Sequence, residues 1–290
     1  MKRHSSRSSQ PTRVACVAAL LLAFASGTAG AQAADPNSGA ITLTTGIDFP
    51  SVYFFRGIRQ EAEPKLTMFP FGDVGIAFYS GDGGLKSAGI NFGIWNSLNT
   101  GSSGLDASPK KRIAYEQDFY ASLSLGFGGG VTFTPMFTTY TSPNGSFGTV
   151  NEISLKVAHA SRYAPYGLVA FELSGQADGG SEEGTYAEFG VAPSWTLADG
   201  KVTVAVPVKI GLSLKDYYEA GGEDNTFGYV DAGVLFTIPF TGVPSQYGSW
   251  NLHGGVNFLG LGDGTKSFNV KDGTPEGGQV IASIGIGMSY

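Results

Sequence analysis

The stretch VTVAVPVKIGLSL (202–214) most tightly restricts how this chain folds. Val202, Val204, Val206, Val208, Ile210, Leu212 and Leu214 fall on one face, with Thr203, Ala205, Pro207, Lys209, Gly211 and Ser213 on the other. Period-two alternation of this length is a strand pattern, because successive side chains of a strand point to opposite faces. QVIASIGIGMSY (279–290) repeats it at the end of the chain. Twelve such segments can be read: 41–58, 66–79, 86–97, 114–126, 131–141, 150–158, 166–177, 185–197, 202–214, 226–238, 248–258 and 279–290. No helix longer than a turn is expected.

The connections alternate in length. RQEAEPK, SLNTGSSGLDASPKKR, TSPNGSFGT, DGGSEEG, KDYYEAGGEDN and LGDGTKSFNVKDGTPEGG follow the odd strands, while turns such as GGG and ADGK follow even ones. A meander with one long-loop rim and one short-turn rim predicts an outer-membrane barrel. An even strand count puts both chain ends on the short-turn rim. Closure is required in lipid, where an open edge leaves backbone N–H and C=O groups unsatisfied. The expected fold class is therefore all-β: a closed antiparallel transmembrane β-barrel of about twelve strands. Pro135, Pro193 and Pro207 sit inside these segments. Each removes a ladder hydrogen bond, so bulges or shorter strands are expected there.

The N-terminus supports export. Lys2, Arg3, Arg7 and Arg13 precede the 12-residue apolar run VACVAALLLAFA, and small residues follow. This is the pattern of a secretory signal peptide, and the run is too short to cross a membrane as a helix. Cleavage is expected after Ala33, with Ala31 the second choice, giving a leader at 1–33 and a barrel domain at 34–290. Cys16, the one cysteine, does not follow the apolar core as a lipid-bearing cysteine would. Four of the 18 basic residues lie in the leader, which leaves 14 against 24 acids and a net charge of −10. That balance argues against nucleic acid as a partner. Charged residues are only 14% of the chain, against 44 Gly, 20 Phe and 13 Tyr, which suits lipid-facing strands.

Placing the apolar face toward lipid puts a mixed set inside. Its acids are Asp48, Asp73, Glu116, Asp118, Glu152, Glu172, Glu188 and Asp231, and its bases Arg56, Lys156 and Lys209. Asn91, Asn251, His253 and Asn257 are neutral polar members. The charged residues and His253 are expected to line a pore. In SVYFFRGIRQ (51–60) the same parity sends Tyr53 and Phe55 to the outer interface and Arg56 inward, toward Asp73, Glu116 or Asp118. Tyr79, Phe127, Trp195, Phe240, Trp250 and Tyr290 lie near the short-turn rim. Tyr140, Tyr186, Tyr217, Tyr218, Phe227 and Tyr229 lie near the other. Both sets are candidates for aromatic girdles.

SVYFFRGIRQ also resembles the Y-x-F-R-G-I-x-Q signature near the mature N-terminus of the TorF-like family of porins from Gram-negative bacteria. AGINFGIWNSLN (88–99) is similar to that family's Gly-x-Trp-x-Ser segment, and EQDFYASLSLGF (116–127) to its acidic strand with D-x-Y. The likeness covers roughly residues 44–127. Arg59 stands where the family tends to have Ser, and Tyr290 where a terminal Phe is commoner. The resemblance implies a porin and names no solute.

Enzymatic motifs are not evident. His159 and His253 are the only histidines after the leader, and no motif ties either to a nucleophile. LGDGTKSFNVKDG lacks calcium-loop spacing, and GFGGGV precedes no helix that would make it a phosphate cradle. The sequence thus predicts an exported channel in the cell outer membrane, with no cofactor and no catalysis, passing small hydrophilic solutes. Its expected partners are outer-membrane lipid, those solutes and the barrel assembly machinery during biogenesis. A non-conducting barrel serving as adhesin or anchor, or an outer-membrane lipid hydrolase, are the alternatives.

Overall fold

A computed structural model describes residues 39–103, 113–220, 222–271 and 273–290. The expected leader, 1–33, lies outside the described residues. Twelve antiparallel strands form one closed ring: β1 Ile41–Pro50, β2 Thr67–Ser80, β3 Leu85–Asn99, β4 Ala114–Phe127, β5 Val131–Thr141 and β6 Val150–His159. They continue as β7 Tyr166–Ser174, β8 Thr185–Val191, β9 Val208–Lys215, β10 Phe227–Pro239, β11 Ser249–Leu261 and β12 Gly278–Ser289. Each strand pairs with its neighbours in sequence. The last pairs with the first, from Thr44 opposite Ser289 to Pro50 opposite Ser283.

Two of the three expected proline disruptions coincide. Ser194–Leu197 continues β8 beyond Pro193, and Val202–Ala205 precedes Pro207 in β9. Val191 opposes Val208 and Ser194 opposes Ala205, so the gaps leave the register unchanged. The Val206 N–H donates to the Pro193 carbonyl at 2.9 Å inside the gap. Pro135 stays within β5, and there the β4–β5 pairing lapses between Ser122–Met136 and Leu125–Phe133. A residue without an N–H leaves such a lapse.

The outer face is apolar all round. Ile76, Phe92, Phe119, Phe137, Val157, Phe171, Phe189, Val208, Phe236, Phe258 and Ile284 are exposed on ten successive strands and β12. An apolar belt this continuous belongs in hydrocarbon rather than in water. Tyr79, Phe127, Trp195, Phe240 and Tyr290 are exposed at the short-turn rim, where a girdle was expected. At the long-loop rim the expectation fails. Phe227 is exposed, but Tyr140, Tyr186, Tyr217, Tyr218 and Tyr229 are buried inside the barrel.

Three rows of residues explain how the interior is braced. Asp73 on β2 and Tyr120 on β4 both oppose Gly93 on β3. Glu188 on β8 and Tyr229 on β10 both oppose Gly211 on β9. Asp48 on β1 and His253 on β11 both oppose Gly285 on β12. Each glycine leaves its strand bare, so the aromatic side chain crosses it and bonds the carboxylate beyond. The distances are 3.0 Å for Tyr120–Asp73, 2.7 Å for Tyr229–Glu188 and 2.6 Å for His253–Asp48. A Cβ at any of the three would meet those side chains. The third row spans the seam where the ring closes.

The first strand departs most from expectation. It ends at Pro50 rather than at 58, and the chain turns into the barrel. Phe54–Phe55 and Ile58–Arg59 make a small hairpin with Arg56 and Gly57 as its two-residue turn. Both have positive φ, 46° and 84°, as a type I′ turn demands. Tyr53 therefore does not face lipid. It packs with Phe69, Trp95 and Tyr115 in an interior cluster, and Phe55 meets Tyr140 edge to face with ring centres 5.5 Å apart. A second interior cluster joins Val52 and Ile58 to Leu168, Tyr186, Tyr217, Tyr218, Tyr229 and Leu259. One helix is longer than expected: α1, Asp263–Phe268, lies in the last long connection and rests on β10 through Thr265, whose hydroxyl donates to the Gly228 carbonyl.

Candidate functional site

All twelve expected interior residues belong to the inward side. On the strands, most of them have an exposed apolar residue beside them, such as Ile153 beside Glu152 and Phe189 beside Glu188. They divide into two regions. The first is made of the braces already described, the Glu188 brace reaching up to the second through Tyr186. Asp73 there accepts from the Asn91 amide at 2.7 Å as well as from Tyr120. Glu188 collects the hydroxyls of Tyr166, Tyr186 and Tyr229 at 2.5, 2.7 and 2.7 Å, and Lys209 stands 3.5 Å away. Asp231 accepts from Asn257 at 2.8 Å. Lys156 lies 4.6 Å from the centre of the Tyr166 ring. His253 has both ring nitrogens engaged, Nε2 with Asp48 and Nδ1 with the Asn251 side chain at 2.8 Å.

The second region lies under the long loops, and Arg56 is its centre. Its guanidinium grips Glu152 on β6 with two bonds, 2.6 and 2.9 Å. The expected partners Asp73, Glu116 and Asp118 are not the ones used, because the hairpin tip reaches β6. Arg56 also donates to the Tyr217 hydroxyl at 2.8 Å, and Tyr140 donates to Glu152 at 3.2 Å. The rings of Tyr186, Phe55 and Tyr217 surround the guanidinium, their centres 4.2, 5.0 and 5.3 Å from Cζ. Bidentate geometry with stacked aromatics is the arrangement that arginine, and not lysine, satisfies.

The hairpin has further anchors. Glu61 takes the Tyr53 N–H at 2.8 Å and the Thr67 hydroxyl at 2.7 Å. Burial raises the Glu61 carboxyl above its usual range. Tyr218 donates to the Arg56 carbonyl at 2.9 Å, and the Asn269 amide donates to the Gly57 carbonyl at 2.7 Å. Glu172 is not a free lining group either. It accepts the N–H groups of Ala177 and Gly184, both at 2.7 Å, and so ties down the 175–184 connection. Glu116 and Asp118 are buried on β4, and Asp118 Oδ1 has no hydrogen-bond partner among the described residues.

Sequence reasoning missed the cage tyrosines, Glu61 and Asn269. The tyrosines were visible only as aromatics near a rim, where a girdle is the default reading. Among the described residues no group of three or more His, Cys, Asp or Glu is placed to hold a metal ion. The stretches 51–60, 88–99 and 116–127 meet in space: the Tyr53 ring centre lies 5.5 Å from that of Trp95, and Tyr120 crosses Gly93.

No protein-family model and no curated protein matches the chain. Solved structures with similarity to it include the NanC porin, 11% identical with a TM-score of 0.38, covering 86% of this chain and 99% of that one. The KdgM porin is 8% identical at a TM-score of 0.40, with 86% and 99% covered. Outer membrane phospholipase A from Escherichia coli is 12% identical at 0.42, with 84% and 92% covered. A phospholipase stands beside porins here, so the likeness is silent on activity.

Proposed function

We propose that the protein is an outer-membrane channel for small hydrophilic solutes, closed on its long-loop side by its own first loop. The observation that carries this reading is the interior itself. An inward face bearing eight carboxylates, two lysines and a histidine suits a path for hydrophilic solutes, even where several of these groups also brace the wall. The plug above it is fixed to the wall by the Arg56–Glu152 ion pair at the loop tip, together with the packing of Tyr53 and Phe55 and the bonds of Tyr218 and Asn269 to the turn. Solutes would pass by diffusion once that loop withdraws. The partners implied are outer-membrane lipid and, during biogenesis, the barrel assembly machinery.

A second reading has its own support. Two packed clusters fill the loop half of the interior, which favours a sealed barrel serving as an anchor or adhesin. The hydrolase alternative is weaker, since both nitrogens of His253 are engaged and none is left to activate a hydroxyl.

Planar bilayer recordings decide between channel and anchor. The channel reading expects low conductance from the wild type and sustained conductance from Arg56→Ala. Silence from both, with a folded barrel verified by its heat-dependent gel mobility, supports the anchor. Liposome swelling with sugars, amino acids and nucleosides then ranks the solutes of the open form.

A further inference from the structure

We infer that the pocket around Arg56 is a guanidinium-recognition site, which the chain fills with its own arginine until a guanidinium-bearing solute displaces it. The pocket and its occupant belong to different parts of the fold. Glu152, Tyr140 and Tyr186 stand on β6, β5 and β8, in the barrel wall. Arg56 stands at the tip of a loop hairpin. The receptor is therefore built without the occupant, and only Phe55 and Tyr217 are brought by connections.

The pocket is specific. Both oxygens of Glu152 receive the fork of a planar cation at 2.6 and 2.9 Å, and the Tyr186 ring lies 4.2 Å from its central carbon. A compact ammonium offers neither the fork nor the flat face. Glu152 is only 1% exposed, so an emptied pocket leaves a buried carboxylate that Tyr140 alone does not satisfy. It demands a replacement cation of the same shape.

The occupant, by contrast, is held in an unfavourable backbone state. Arg56 has φ 46°, a left-handed conformation that side chains other than Gly, Asn and Asp rarely adopt. Its side chain is one of the ties on the turn, beside the bonds that Tyr218 and Asn269 make to the turn carbonyls. A solute ending in a guanidinium competes for the same carboxylate and rings, and its arrival frees the Arg56 side chain. The two partners cannot share one pocket, so binding of the solute and release of the Arg56 side chain are a single event. The apparent affinity of the wild type is lowered by the fraction of time Arg56 occupies the pocket.

The test uses the full mature chain folded in detergent, with ethylguanidinium chloride as probe and ethylammonium chloride as control. Calorimetric titration of Arg56→Ala is expected to show saturable ethylguanidinium binding. Adding Glu152→Gln should abolish it, and ethylammonium should bind on the order of ten-fold more weakly, since it lacks the fork. The wild type should bind the same probe saturably but more weakly. Should Arg56→Ala fail to fold, Arg56→Lys takes its place, because a lysine pairs with Glu152 without the fork or the flat face and so competes less well with the probe. No binding to the folded variant overturns the inference. Binding to the variant without any to the wild type also overturns it, and leaves Arg56–Glu152 as a structural ion pair. The inference names a ligand for the channel proposed above, yet the two are separable. Wild-type binding without a rise in bilayer conductance upholds the site and sinks the channel.

Discussion

Arg56 shows what a single residue decides here. It joins a loop to the wall by an ion pair whose members are 6% and 1% exposed. Removing one member of such a pair strands the other charge, and costs about 3–5 kcal/mol. Arg56→Ala should therefore lower the thermal unfolding midpoint of the detergent-folded barrel. Arg56→Ala with Glu152→Gln should recover part of that loss, because no unpaired charge remains. A double variant no better than the single would show that the rings, not the carboxylate, hold the arginine. The interior glycines make a second case. Gly211→Ala puts a methyl against the Tyr229 ring, and overpacking of this kind costs about 1–3 kcal/mol. It should also free the Glu188 site of one hydroxyl, whereas Gly200→Ala, at an open turn with nothing near, should cost only its positive-φ strain. Unfolding midpoints of the two variants check the difference. Arg56 was legible as an inward residue, and its partner was not. The parity that assigned it ran a strand through Pro50 and Ser51, whereas Arg-Gly between Phe55 and Ile58 is the turn of a hairpin that reverses the chain. The crossing tyrosines were hidden for a different reason. Their role depends on which glycine lies opposite, and register across strands is not written in any one strand.

Strands were the most readable elements, because lipid on one side and polar groups on the other enforce the alternation along each of them. β9 tests the assignment directly. Val208 is 39% exposed on the outer face, and Lys209 points inward toward Glu188. Val208→Arg should cost about 2–4 kcal/mol near the midplane, while Lys209→Ala should fold normally. Folding yield into lipid vesicles, read by gel mobility before and after boiling, compares them. Reversed tolerances would mean a one-residue slip, which moves every side chain of the strand to the other face. Val206, on the same face by parity, lies in the gap between the halves of β9, where its N–H binds the Pro193 carbonyl. The prolines were correctly flagged as misfits, but their remedy, paired gaps in adjacent strands, needs both strands at once. The connections were least readable. GDGTKSF has the composition of a turn, and α1 forms there only because Thr265 and Asn269 tie it to β10 and to the hairpin.

On the scale of the whole molecule, ring closure and the contrast between rims followed from strand count and loop length, both visible in the chain. The plug did not follow, because a loop's composition does not say whether it folds outward or into the barrel it caps. The plug changes how the charge of the interior should be read. Of the eight inward acids, Glu152 is neutralised by Arg56, Glu188 faces Lys209, and Asp48 faces His253. Asp73, Glu116, Asp118, Glu172 and Asp231 have no ion pair among the described residues, against Lys156 as the one interior base without a carboxylate partner there. The long-loop rim adds Asp178, Glu182, Glu183, Glu219, Glu223 and Asp224. Low-dielectric walls focus such a field and concentrate the opposite sign. The open form, obtained with Arg56→Ala, should therefore prefer potassium to chloride. Losing Arg56 should strengthen the preference, since it leaves Glu152 uncovered. The preference should fade as salt rises, because the screening length falls to about 3 Å at 1 M. Reversal potentials across a potassium chloride gradient measure it. A preference for chloride at low salt would mean that Lys156 and Lys209 command the narrowest point, and that the acids serve as braces and anchors rather than as the lining of the path.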